Sequence, residues 1–376
     1  MTTGKFNDMS AMEALRRAQA ISVGPFVFQA VAAMEDLGLL GILGDLGPGE
    51  SITREEMARR SGVSLYGVSV LLDLAVTADI VIENPENGGL SLSKLGIYLT
   101  SDPMTRVNLA FTRHVCYQGL EKLTDSLKTG RPEGLRVFTA DHDTIYPFLK
   151  DLPEKAREAW FGFDHFYSDR LFPKALPELF RRFHPRLIYD VGGNTGKFAL
   201  AATDYDPEVK VTVIDLPEQC EKARENFQKA GREERARVFP ADILKEEPAL
   251  PGEADIWWLS QFLDCFSAGD ISGIISRIYR AARPDAVLAV NEILGDRQKN
   301  EVASLVVDAT SLYFTALANG RSRFYHAREL ISLIEGAGFK LCDEIDHLGM
   351  GHTVMFFRKN PEAEYEEGRR GAGHEG

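Results

Sequence analysis

The sequence predicts a mixed α/β protein: a mainly helical N-terminal region, then, from about residue 184, a parallel sheet with helices on both faces. Three observations predict it. Short β-rich runs alternate with helical segments over residues 184–360. A glycine turn, DVGGNTG, joins the first of those runs to a helix. The first hundred residues carry helical apolar spacing that passes into a helix–turn–helix and two short strands.

Composition sets the bounds. A chain of 376 residues exceeds one ordinary core, so two domains are expected. Hydrophobic residues at 44% and charged residues at 26% are usual for a globular protein. The net charge of −13 speaks against a nucleic-acid surface, which needs clustered cations to displace phosphate counterions. Cys116, Cys220, Cys265 and Cys342 show no CxxC spacing, so neither a metal site nor a disulfide framework is expected. No basic-then-apolar leader opens the sequence, and no apolar run approaches the roughly 20 residues of a membrane span. The expectation is a cytoplasmic protein without nucleic-acid or membrane partners.

The elements follow in order. Residues 9–46 place apolar groups at helical spacing, interrupted by Gly38, Gly41 and Gly44. Thr53 and Glu56 have capping-box spacing, and ITREEMARRSGV then reads as helix, turn, helix. Val81 to Asn84 and Leu90 to Leu92 read as strands around the turn PENGG, which completes a winged-helix pattern over residues 1–100. Winged helices can read DNA. Here the second helix, SLYGVSVLLDLAV, lacks the Arg, Asn and Gln that read base edges, so a partner-facing helix is the better account. Residues 101–183 read as a helical linker and cap. LAFTRHVCYQGLEKLTDSLKTG reads as a helix capped by Gly130, and PEKAREAWFGFDHFYSDRLFPKALPELF is rich in aromatics that suit either core packing or a pocket wall. From 184 to 360 the strand-like runs are LIYDVGG, KVTVIDLP, ARVFPADI, ADIWWLSQFL and AVLAVNEIL, followed by the helix HARELISLIEGAGF and the strands KLCDEI and HTVMFFRK. Residues 361–376 are polar and Gly-rich and read as a disordered tail.

Ligands of open α/β sheets sit at the carboxyl edge of the strands. Asp190, Asp215 and Asp242 each stand at or just past such a strand end. Gly192 and Gly193 allow a backbone to approach a ligand closely. A carboxylate at Asp215 can accept from both hydroxyls of a ribose, and one at Asp242 from an adenine amino group. A dinucleotide site would prefer GxGxxG and no acid beside the pyrophosphate, yet Val191 takes the first glycine position and Asp190 ends the strand. A P-loop needs Ser or Thr after GK, and Phe198 follows Lys197. A cationic amino-acid group fits Asp190 better, and S-adenosyl-L-methionine carries one.

With YDVGGNTGKFAL, VIDLPEQ, ADIL, WLSQFLD, VNEIL and ELISLIEGAGF in this order, the chain resembles the class I S-adenosylmethionine-dependent small-molecule O-methyltransferases with an N-terminal winged-helix dimerisation domain, the plant caffeate-type and bacterial polyketide enzymes. LEKLTDSLKTGRPEGLRVF is similar to the family's segment ahead of the catalytic domain. The resemblance implies a Rossmann-like seven-stranded sheet with an antiparallel last strand, a homodimer, and cofactor contacts at Asp190, Gly192, Gly193, Asp215, Leu216, Asp242 and Ile243.

The chain departs from the family where the chemistry belongs. On the family pattern, Gln261 takes the place of the catalytic His, Phe262 that of the Asp beside it, and Phe324 that of a supporting Glu; Glu292 matches the other supporting Glu. Glutamine has no titratable group near neutral pH and cannot be that base. Gln261 could hydrogen-bond the acceptor instead, Glu292 could act as a base if burial raises its pKa, and His326 and His114 are further candidates. Tyr117, Phe163, Phe166, Tyr313 and Phe324 are candidates for the acceptor wall or for plain core. The expected activity is methyl transfer to a small aromatic or conjugated acceptor, driven mainly by positioning. The alternatives are a cofactor-binding homologue that has lost methyl transfer, and a ligand-sensing regulator, which the acidic balance disfavours.

Overall fold

The computed structural model describes residues 9–168 and 170–360; the expected disordered tail, 361–376, lies outside the described residues. The chain divides into two compact units, Met1–Arg113 and His114–Gly376.

In the first unit, α1 (Ala11–Asp36) starts at Ser10, whose hydroxyl accepts from the Glu13 N–H. Gly38, in the left-handed region at φ 72°, separates it from α2 (Leu39–Gly44). Then come α3 (Arg54–Ser61), α4 (Leu65–Thr77), the antiparallel hairpin of β1 (Val81–Glu83) and β2 (Leu90–Leu92), α5 (Lys94–Ser101) and α6 (Pro103–Phe111). Met34, Leu39, Met57, Leu72 and Leu90 form the core of this unit. Only half of the expected capping box forms. Thr53 accepts from the Glu56 N–H, but the Glu56 carboxylate turns to Arg59 and Arg60. Two guanidinium groups one helical turn away outcompete a single backbone N–H, and they hold that carboxyl down to about 2. On α4, Val68, Leu72 and Ala75 are buried while Leu65, Tyr66 and Val70 are exposed, so the helix is apolar on both faces.

The helix expected over LAFTRHVCYQGLEKLTDSLKTG is broken. After α6 come a π-turn at Thr112–Cys116 and a 3-10 turn at Gly119–Lys122, and α7 (Leu123–Thr129) ends on Gly130 at φ 66° as expected. The break lies where the Gly119 backbone approaches the Gly134 carbonyl and the Leu317 side chain, with no room for a Cβ. The second unit continues through α8 (Glu154–Ser168) and α9 (Phe172–Phe183) into the sheet: β3 (Leu187–Val191), α10 (Lys197–Tyr205), β4 (Lys210–Asp215), α11 (Pro217–Ala230), β5 (Ala236–Pro240), β6 (Ile256–Ser260), α12 (Ala268–Ala281), β7 (Val287–Ile293), α13 (Glu301–Tyr313), α14 (Ala327–Gly336), β8 (Phe339–Leu348) and β9 (His352–Lys359).

The sheet order is β5-β4-β3-β6-β7-β9-β8, with β3 to β7 parallel and β9 antiparallel to both its neighbours. This is the expected seven-stranded architecture. Both faces are covered, so β6 reads as an unbroken apolar run: Trp257 packs into one core with Leu330 and Phe357, and Trp258 into the other with Phe198 and Phe356. The strand order reverses between β3 and β6, and open α/β sheets bind ligands in the crevice at the carboxyl ends of such strands.

The helical stretch Glu301–Ala318 has 18 residues, mean hydropathy 1.3 and one third of its length buried; by length and composition alone it could cross a membrane, a test that core helices also pass. Glu301 and Asp308 keep it from being an unbroken apolar run.

Candidate active site

Two rims meet at the crevice. The first is built from the ends of β3, β4 and β5. Past Val191 the chain turns at Gly192 (φ 74°), whose N–H donates to the Ile214 carbonyl at 2.9 Å. A Cβ at Gly192 would strike the Phe262 ring, and one at Gly193 would strike the Asp190 carboxylate. The turn is therefore glycine because an acid and an aromatic ring crowd it from beneath. Asp190 is 2% exposed, and its Oδ2 has no hydrogen-bond partner. Burial, with Asp215 nearby, pushes its pKa up to about 8. A buried carboxyl without a partner is costly unless a cation or donor meets it.

Asp215 is latched to the same turn. Its Oδ2 accepts from the Asn194 N–H at 2.8 Å and its Oδ1 from the Leu216 N–H at 2.7 Å. Asn194 is itself left-handed, at φ 50°, which gives the turn its shape. Burial raises the Asp215 pKa, and those two N–H groups pull against the rise. Asp242 reaches the rim through β5: Asp215 pairs with Pro240 in register, and the Ala241 N–H donates to the Asp215 carbonyl. The Asp242 carboxylate accepts from the Leu244 N–H and pairs with Lys245 at 3.2 Å. Its carbonyl takes a bond from Arg277, a buried residue of α12 that also holds the Pro248 carbonyl. Ile243 is buried beside it, and Leu216 is half exposed.

The second rim lies at the ends of β6 and β7. Gln261 enters a tight turn at φ 48°, and its N–H donates to the Asn291 carbonyl at 2.8 Å. The next two N–H groups, of Phe262 and Leu263, donate to Glu292 Oε1 at 3.0 and 2.8 Å. This turn carries Asp264 inward until it is 6% exposed. Asp264 Oδ1 and Glu292 Oε2 are buried with no partner. Burial, with Asp164 nearby, pushes the Asp264 pKa to about 7. Burial followed by Asp264 raises that of Glu292 well above the ordinary range. At neutral pH the pair carries at most one charge.

Asp264 also stands with Glu292 in this turn, and the Phe262 ring lies under Gly192 and edge-on to Phe266 at 4.8 Å. A left-handed residue at the head of the turn shifts which side chain faces inward, and linear spacing does not reveal it. Three further groups passed over in the sequence join this rim. The Tyr146 hydroxyl is buried against the Cys265 thiol, within electrostatic reach of Asp264 and Tyr313. Asp164 of α8 faces Asp264 and Tyr313, and the Trp160 indole N–H donates to the Tyr313 hydroxyl at 2.7 Å.

The other candidates divide. Tyr313 packs on Phe314, and Phe314 on Phe324, so Phe324 extends the same aromatic wall. His114 and Tyr117 flank Cys116, which lies within electrostatic reach of Tyr313. Phe163 and Phe166 pack instead on Tyr167, with the Arg170 guanidinium 4.6 Å above Phe166. His326 is the N-cap of α14, about half exposed, with its Nε2 3.4 Å from Asp308 Oδ1.

With this geometry in place, residues 121–340 match the O-methyltransferase domain, and residues 15–87 match the Dimerisation2-like domain. The chain belongs to the O-methyltransferase domain family. Human acetylserotonin O-methyltransferase is 25% identical over 353 residues, spanning 87% of this chain and 93% of its own length. The mitomycin biosynthesis 6-O-methyltransferase of Streptomyces lavendulae is 24% identical over 323 residues, 85% of each chain. Among solved structures, the S-adenosylmethionine-dependent methyltransferase SibL superimposes with a TM-score of 0.70 at 25% identity, covering 92% of this chain and 99% of its own. The family's methyl donor is S-adenosylmethionine, and its first-rim requirements fit the residues here: an unpartnered acid under a turn too tight for a Cβ.

Proposed function

We propose that the protein transfers the methyl group of S-adenosylmethionine to a small, flat, conjugated acceptor. The observation that carries this reading is the orphaned Asp190 carboxyl beside Asp215 beneath the Gly192–Gly193 turn, a site that lacks only a cation. In this reading Asp190 meets the amino-acid ammonium, Gly192 and Gly193 admit the amino-acid end, and Asp215 accepts from the ribose hydroxyls. Leu216, Asp242 and Ile243 border the adenine. The bound donor supplies an electrophilic methyl carbon on a cationic sulfur. The chain excludes water, aligns the acceptor against the aromatic wall of Trp160, Tyr313 and Phe324, and manages the acceptor's proton.

Calorimetry with S-adenosylmethionine and its demethylated product tests the reading; micromolar affinity for both is expected, and no binding by either would end it. The rival, a donor-binding homologue without methyl transfer, is motivated by the missing histidine. Accumulation of S-adenosylhomocysteine with an acceptor would exclude it.

A homodimer belongs to the same proposal. It is supported by the Dimerisation2-like match and by the apolar side chains of Ile21, Phe26 and Tyr66, which stand exposed on α1 and α4. Sedimentation equilibrium showing a monomer at micromolar concentration would refute it.

A further inference from the structure

At the second rim the carboxyl oxygens Asp264 Oδ1 and Glu292 Oε2 are buried without a hydrogen-bond partner, as is Asn291 Oδ1 beside them. Buried polar groups in folded proteins are nearly always satisfied, so such orphans together mark a place where a ligand completes the bonding. The groups facing Asp264 are Glu292 from β7, Asp164 from α8, the Tyr146 and Tyr325 hydroxyls and the adjacent Cys265 thiol, which Tyr146 meets. None of them is a cation. The wall beside them is aromatic: the Trp160 indole N–H donates to the Tyr313 hydroxyl, and Tyr313, Phe314 and Phe324 pack edge to face.

We propose that Asp264 is the catalytic residue that receives the acceptor's proton, that Glu292 positions it, and that the acceptor is a neutral phenol- or enol-type hydroxyl on a flat conjugated body. This rests on the methyl-transfer reading above. An anionic acceptor would be repelled by Asp164 and by the single charge that the Asp264–Glu292 pair carries. An ammonium would pair with Asp264 and keep the proton that blocks its lone pair. A carboxyl titrating near 7 lies within ~3 pKa units of a phenol at ~10, but ~9 units below water or a simple alcohol at ~16, so only the acidic hydroxyl hands over its proton readily.

The step balances. A lone pair on the acceptor oxygen forms the bond to the methyl carbon. The carbon–sulfur bond breaks with its electron pair staying on sulfur. The oxygen's proton passes to the Asp264 carboxylate and leaves to solvent with the product. Glu292 Oε1, tied to the Phe262 and Leu263 N–H groups, holds the turn that aims Asp264. Asp264 must be ionised to accept, so efficiency rises as pH increases through about 7.

The test uses the full chain saturated with S-adenosylhomocysteine and catechol as the probe, titrated by calorimetry from pH 5.5 to 8.5. Catechol affinity in the wild type is expected to tighten about tenfold with rising pH. Asp264→Asn makes it weak and pH-independent; Glu292→Ala frees the turn and weakens binding, and the neutral isostere Glu292→Gln, which still accepts from the Phe262 and Leu263 N–H groups, restores it without moving the midpoint. With S-adenosylmethionine instead, Asp264→Asn lowers kcat on catechol about 100-fold or more, while its donor affinity stays unchanged and shows the fold intact. The proposal is overturned if catechol fails to bind the loaded protein, if its binding is flat with pH, if Asp264→Asn retains turnover, or if 4-ethylaniline or 2-phenylethanol is methylated faster than catechol. If the wild type binds no S-adenosylmethionine at all, the methyl-transfer reading itself fails, a result distinct from these.

Discussion

The two rims of the crevice hold buried acids in different ways. At the first, Asp190 and Asp215 stand at the ends of neighbouring parallel strands, and backbone N–H groups of Asn194 and Leu216 satisfy both oxygens of Asp215. At the second, Glu292 ends a strand but Asp264 is delivered by a turn with a left-handed entry, and each acid keeps one oxygen without a partner. Burial raises Asp190 to about 8 and Asp264 to about 7. The environments still differ: the first rim is a frame set by regular strands and suited to a fixed cation, while the second is a proton-bearing pair at the end of an aromatic wall. Strand ends place charge, and turns place chemistry.

The largest effect that would break this comparison belongs to Asp190. Asp190→Asn is expected to weaken S-adenosylmethionine binding about 100-fold or more by calorimetry, because a buried charge pair loses one partner. The ligand-free variant should become more stable at the same time. The folded pKa near 8 lies above the unfolded value near 3.9, so the wild type loses stability as pH rises from about 4 to about 8. The gain from asparagine, on the order of 1–3 kcal/mol, should therefore appear in Tm at pH 8 and vanish at pH 4. An equal gain at both pH values would show that Asp190 does not titrate as described.

Gly192→Ala comes next. A Cβ at φ 74° meets the Phe262 ring, so a loss of about 1–3 kcal/mol in denaturant stability is expected, together with weaker donor binding, since Phe262 links the two rims. Trp160→Phe sharpens the contrast from the other side. Losing the indole bond to Tyr313 costs about 1 kcal/mol; KM for the acceptor should rise several-fold while donor affinity holds. The smallest effect belongs to His326→Ala: this half-exposed residue pairs with the exposed Asp308, so kcat/KM should change by less than about twofold. A large loss there would return His326 to the chemistry.

The first rim was legible in the sequence because each of its acids closes a β-rich run, and adjacent parallel strands bring their ends together. Asp190, Asp215 and Asp242 follow from that rule alone. At the second rim the sequence pointed to Glu292, which also ends a strand, to Gln261 in the turn and to Tyr313 and Phe324 in the wall, but not to the second acid. Asp264 sits three residues past Gln261 in an irregular turn, where spacing carries no rule for direction. Tyr146, Trp160 and Asp164 come from segments a hundred or more residues away in sequence from Asp264 and Glu292, and no local pattern ties them to β6 and β7. The helix broken at Thr112–Cys116 and the half-formed capping box at Thr53 failed for the same kind of reason. In each case a close backbone approach or a competing guanidinium overrode the local preference.

By itself the sequence determined the strand and helix order, the glycine turn and the line of acids at the carboxyl edge. These depend on apolar periodicity and on backbone rules that act over a few residues. Only the tertiary structure decided which acids are stripped of water, which oxygens go unpaired and which aromatic side chains stand beside them. Desolvation is the work of every element packed around a group, so a carboxyl's proton affinity is set by neighbours that its own stretch of chain does not name.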